Sequence, residues 1–204
     1  MMDNVTILLL VLAAIILPIC GLIIGMIVII GALGRRNANQ AGELKTRWAA
    51  IAQNHGLTFN AGTALQDPSL TGTIDGLTVT LTLTRYQMGS NGMSHAYTVA
   101  WVPVTGAGEC LIADRKRSHH VDGVTGGEVA VPDPGLAATH FARGNPERLA
   151  RLLTPEVTAR LSQNAITHVR LAQMRLHVQR AGHQYGEGEC LALMQLAADL
   201  AHRL

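Results

Sequence analysis

Aromatic side chains are scarce in this chain. Phe, Tyr and Trp make up 3% of its 204 residues, which leaves few platforms for stacking nucleic-acid bases. The formal net charge is only +2, so the electrostatic footprint of a dedicated nucleic-acid binder is missing as well. Cysteine occurs three times, at Cys20, Cys110 and Cys190, too sparsely for a disulfide-stapled scaffold and in keeping with a reducing compartment. There is no Walker loop and no GxGxxG fingerprint, and no Gly-Lys-Ser/Thr follows Gly123, Gly126 and Gly127. Gly89-Ser90-Asn91-Gly92 lacks the spacing of a nucleophile elbow. Charge is missing in one place above all. Residues 5–33 hold no charged side chain, and all 16 Lys and Arg stand at or after Arg35.

What fills that uncharged stretch is aliphatic. As a helix, the 29 residues of 5–33 would reach roughly 44 Å at about 1.5 Å each. That exceeds the roughly 30 Å hydrocarbon core, so the segment is read as a transmembrane helix with tilt or overhang. A cleaved signal peptide would need a basic n-region and a shorter apolar core, whereas the chain opens Met1-Met2-Asp3-Asn4. Arg35, Arg36, Lys45 and Arg47 follow the span and nothing basic precedes it. The positive-inside rule then puts the N-terminus outside and the C-terminal domain in the cytoplasm, at the inner membrane. Gly21 and Gly25 form a GxxxG that lets two helices approach, a candidate homodimer seam. Pro18 is expected to kink the span. With no ionisable group inside it, the span offers no ion pathway.

The chain is thus divided into an anchor (1–34), a connector (35–42) and one domain (43–204). Leu44, Trp48, Ile51 and Ala52 fall at helical spacing before Gly56, which predicts an amphipathic helix over 43–55 with Trp48 as a core anchor. Strands are predicted over 69–74, 77–86 and 96–104, with Asp75-Gly76 as a two-residue hairpin turn. The second of these alternates Leu and Val with Thr. Residues 109–113 suit a further strand, 114–134 show no pattern, and 134–142 read as a short strand or turn. Asn145-Pro146-Glu147 and Thr154-Pro155-Glu156 each supply an N-cap, a proline at N1 and an acid, predicting two helices. A hairpin is placed across Ala172-Gln173, and a helix over 189–204 closes the chain. The fold class is α+β: an antiparallel sheet packed with about four helices.

This layout resembles a loose group of uncharacterised bacterial single-pass membrane proteins. The residues that carry the resemblance are the N-terminal span, Trp48-Ala49-Ala50-Ile51-Ala52 leading to Gly56-Leu57, and Leu70-Thr71-Gly72-Thr73-Ile74-Asp75-Gly76. Asp133-Pro134-Gly135 through Phe141, Leu152-Leu153-Thr154-Pro155-Glu156-Val157 and the final hairpin and helix also fit. The resemblance implies an anchored cytoplasmic α+β domain of unknown function and transfers no functional residue.

Few strings suggest chemistry. His119-His120-Val121-Asp122-Gly123 shares letters with the HHxxxDG motif of acyl-transferring condensation enzymes, but its Asp stands two residues too early. As a zinc site it falls short of three or four ligands on a fixed frame, so neither a metal nor a cofactor is assigned. Cys190, in the first turn of the last helix, has no identifiable base, so no catalytic residue is assigned either. Arg115-Lys116-Arg117 is the densest basic cluster. Beside an anionic leaflet each charge gains about 1 kcal/mol, and protonation of His119 and His120 would add to it. These five residues, with Arg35 and Arg36, are the candidate membrane-surface contacts; the plainer reading of the loop is a solvated surface. Two functions stand. The first is a membrane-anchored interaction or scaffolding module with a protein partner. The second is a domain that binds a small molecule or lipid headgroup, with a membrane-proximal hydrolase behind it. No ligand is identified. A polar pocket with convergent His or Asp would favour the second, and a flat apolar patch or open sheet edge the first.

Overall fold

The structure, a computed structural model, describes residues 41–63, 66–88, 93–106, 108–117 and 124–204, together with Leu22, Gly25, Met26, Val28 and Ile29. The chain divides into two units, Met1–Glu43 and Leu44–Leu204. In the first, the five described positions between 22 and 29 are helical. Leu22, Met26, Val28 and Ile29 expose their side chains, and a Cβ added at Gly25 would meet nothing. Among the described residues no helix is long and apolar enough to cross a membrane. The rest of the predicted span, with Gly21, Arg35 and Arg36, lies outside the described residues.

The second unit is the expected α+β fold. Helix α1 covers 41–55. It stops at Gly56, whose φ of +64° allows the Leu57 amide to reach back to the Ala52 carbonyl at 2.9 Å, a Schellman closure. Strands β1 (Thr58–Asn60), β2 (Ser69–Ile74), β3 (Leu77–Met88), β4 (Met93–Pro103), β5 (Cys110–Asp114) and β6 (Glu128–Val129) follow. Then come α2 (Pro134–Thr139), β7 (His140–Gly144), α3 (Pro146–Leu152), α4 (Pro155–Gln163), β8 (Ile166–Ala172), β9 (Arg175–Ala181) and α5 (Glu187–His202). The strands form one sheet in the order β1-β2-β3-β4-β9-β8-β5-β7-β6, with every adjacent pair antiparallel. The late β8–β9 hairpin is inserted between β4 and β5, so the middle of the sheet is its least local part.

The helices cover one face. Leu70, Val79, Leu81, Ala100, Val102, Ile112, Val169, Leu176 and Val178 point into a single core with Trp48, Leu136, Leu149, Val157, Leu161 and Leu196. Trp48 is fully buried, as its spacing predicts. Strand register puts the other parity on the helix-free face: the threonines of β3, then Tyr97, Val99 and Trp101, then His177 and Gln179. A small second cluster of Leu111, Ala113 and Val124 packs with Phe141 on that side.

Two sequence expectations are corrected here. Residues 134–142 are neither strand nor turn alone: Asp133 caps α2, its side chain accepting from the Leu136 amide, and β7 begins only at His140. The β8–β9 turn is Gln173-Met174, one residue later than placed, because both residues take positive φ. Asp75-Gly76 is the expected turn, with φ of +50° and +82°, the primed geometry that matches strand twist.

Candidate functional site

A cleft of about 560 Å³ opens where β4 begins and β9 ends. It is lined by His95, Ala96 and Tyr97 of β4, by Ala181, Gly182 and His183 at the exit of β9, and by Lys116 and Arg117 of the turn after β5. Pairing of β4 with β9 places Tyr97 opposite Ala181. Both basic residues are held by one carboxyl residue. The Lys116 amide donates to Asp114 Oδ1 at 2.8 Å, and the Arg117 amide donates to the Asp114 carbonyl at 3.1 Å. Asp114 thus shapes a tight turn and leaves both side chains exposed at the cleft.

The opposite wall is fixed from inside the core. Thr98 is wholly buried. Its hydroxyl donates to the Gly182 carbonyl at 2.9 Å and accepts from the Gln184 amide at 3.1 Å. Trp48 Nε1 donates to the Gln184 carbonyl at 3.0 Å, and the Gly182 amide donates to the Ala96 carbonyl at 2.8 Å. The segment between β9 and α5 is therefore gripped on both sides of His183. Gly182 has φ +84°, a conformation that most side chains resist, and this turn aims His183 at the cleft rather than onward along β9.

Charge in the cleft is cationic. Burial, then Arg85, hold the His183 imidazole below the usual histidine range, with Asp67 opposing. Burial raises the Tyr97 phenol, which Arg117 partly offsets, so Tyr97 remains a protonated hydroxyl on the floor. Tyr97 meets Tyr86 edge-on at 5.4 Å and His168 at 6.2 Å between ring centroids. The described lining residues offer two cations, two imidazoles and a phenol, but no carboxylate or thiol. Such a set has the donors for charge-assisted hydrogen bonds to an anion and, among these described residues, no nucleophile–base pair.

Of the residues singled out in the sequence, Lys116 and Arg117 come together at the cleft. Arg115 does not join them: its guanidinium reaches Glu128 at 3.1 Å and stands 5.9 Å over the Phe141 ring. His119 and His120 lie outside the described residues. His95 and His183 were not foreseen, since no local periodicity or motif marks them. The two described thiols are elsewhere and buried. Burial pushes Cys110 up to about 11 and Cys190 up to about 12. Among the described residues no group of three or more His, Cys, Asp or Glu is arranged to hold a metal. Comparison with protein-family models, with curated proteins and with solved structures returned no match.

Proposed function

We propose that this chain is a membrane-anchored binding protein whose cleft takes a small anionic ligand bearing a phosphate or carboxylate group. The observation that carries the reading is the convergence of His95, Lys116, Arg117 and His183, from three separate segments, on one cavity of about 560 Å³. That volume suits a small molecule. Arg117 supplies a planar fork that matches an oxyanion, Lys116 a mobile point charge, and the imidazoles further donors when protonated. The scaffolding alternative draws less support, because the terminal strands β1 and β6 have three and two residues and offer little edge for a partner strand.

In this reading, residues 5–33 are the anchor, with the N-terminus outside, the domain in the cytoplasm and Arg35 and Arg36 at the inner face. Support comes from the uncharged run itself. It comes also from the helical Leu22, Met26, Val28 and Ile29, exposed by 75%, 60%, 64% and 61%, a state that lipid accommodates and water does not. Gly25, where an added Cβ would meet nothing, belongs with Gly21 to the GxxxG through which a second copy of the span would pack.

The test is calorimetric titration of the full chain in nanodiscs with inorganic phosphate and with sulfate. Wild type should bind each saturably, and the double change Lys116→Ala, Arg117→Ala should abolish binding. Sulfate keeps its charge across the range, so sulfate binding that tightens only as pH falls below 6.5 would report His183, whose proton uptake burial and Arg85 hold below that value. No saturable binding by wild type would return the domain to the scaffolding reading.

A further inference from the structure

The turn between β8 and β9 is built against its own residues. Gln173 and Met174 have φ of +53° and +57°, a two-residue geometry that Asn-Gly or Asp-Gly adopts readily and methionine does not. Met174 is also 70% exposed, and among the described residues of the Leu44–Leu204 unit it is the only large hydrophobic side chain so exposed. Asn or Gly would relieve both its backbone strain and its hydration. A side chain kept under those two penalties points to a use for the side chain.

Its neighbours are cationic. The Arg175 guanidinium lies 4.7 Å from the Trp101 ring centroid. His177 stands opposite Trp101 across β4–β9 and opposite Arg170 across β8–β9. Burial first, then Arg170 and Arg175, hold its imidazole below the usual range, so both guanidiniums crowd one histidine. Among the described residues no ion pair includes Arg170 or Arg175, whereas Arg160 and Arg203 of the helical layer pair with Asp199 and Glu156. Arg170 Nε is buried with no hydrogen-bond acceptor. Crowded cations beside a tryptophan and an exposed methionine match a lipid interface. There an apolar tip enters, an indole sits at headgroup level and arginines meet phosphate.

We propose that the Gln173-Met174 tip, with Trp101, Arg170 and Arg175, docks on an anionic lipid leaflet. The surface shares no residue with the cleft and does not depend on what the cleft binds. Single-stranded nucleic acid would satisfy the charge, but it needs bare rings to stack on, and Trp101 is half-buried and already faced by Arg175.

Trp101 is its own reporter. Trp48 is fully buried, so a quencher carried on lipid reaches only Trp101. The full chain is placed in nanodiscs with brominated acyl chains, of phosphatidylcholine alone or mixed with phosphatidylglycerol. Quenching should be several-fold stronger in the anionic discs and absent in Trp101→Phe. Arg170→Gln should lower the docked fraction about fivefold. Met174→Asn should abolish quenching while raising the unfolding midpoint, because Asn suits the turn; a merely structural methionine would not separate the two readouts. Equal quenching in both lipids, or full quenching retained by Met174→Asn, overturns the proposal. So does a single-stranded oligonucleotide that shifts Trp101 emission in neutral discs when anionic lipid has no effect, which would assign the patch to nucleic acid.

Discussion

His177 and His183 resist protonation for the same first reason, burial, and nearby arginines add to it. Both imidazoles bind a proton less readily in the fold than at the ordinary value of 6.5, so the unfolded chain takes up more protons in acid. Their contribution to stability is fully present above 6.5 and is lost as pH falls toward the lowered folded values. Urea unfolding followed by Trp fluorescence should therefore show a midpoint that drops from about pH 7 downward, above the range in which carboxylates titrate. His183→Asn should flatten part of that slope. A flat midpoint down to about pH 5 would mean that neither imidazole is desolvated. The thiols teach the same lesson with the opposite sign of charge. Cys190 sits in the first turn of α5, where the helix dipole favours a thiolate, yet burial wins and pushes it up to about 12. Trp48 was legible in the sequence because its role rests on helical spacing within one segment. His95 and His183 were not, because only the pairing of β4 with β9 gives them a common neighbour.

At the scale of elements, local grammar and long-range pairing divide the work. Asp133-Pro134, Asn145-Pro146 and Thr154-Pro155 open three helices with the same device, a side-chain acceptor followed by proline. The second and third are the helices that the sequence predicts from Asn145 and Thr154. The first was obscured because α2 is only six residues long and β7 follows at once. β4 shows what alternation cannot decide. Its small residues Thr98 and Ala100 face the helices, where α5 packs closely, while Tyr97 and Trp101 take the helix-free side. Hydrophobicity alone would have turned the strand over. Thr98 is the element-scale hinge of the cleft, since one hydroxyl serves the Gly182 carbonyl and the Gln184 amide. Thr98→Val keeps the shape and removes both bonds. It should cost about 1–3 kcal/mol and weaken phosphate binding as His183 loses its fixed position. Unchanged stability and unchanged affinity in denaturation and titration would show that the β9–α5 segment is held by Trp48 and Ala96 alone.

Across the whole molecule, charge is sorted by layer. The helical side pairs Arg160 with Asp199, Arg180 with Glu189 and Arg203 with Glu156. Among the described residues, the helix-free strand positions carry Arg143, Arg170 and Arg175 with a single acid, Glu128, itself bound to Arg115. A net charge of +2 conceals this separation, which is why composition gave no hint of a cationic face. The fold class was legible from periodicity and turn residues. The order of the strands was not, because the β8–β9 hairpin joins β4 across a long sequence interval whose contacts leave no local trace. If residues 5–33 anchor the domain as proposed, a reporter fused after Leu204 should be active only in its cytoplasmic form; periplasmic activity would invert the topology. The central claim, an anion held between Lys116, Arg117, His95 and His183, is tested most directly by the imidazole NMR signals of the full chain during titration with inorganic phosphate at fixed pH. The His95 and His183 resonances should shift together and saturate, while those of His55 and His202, which lie on the helical side, stay put. No saturable shift at His95 and His183, or an equal shift at all four, would contradict it.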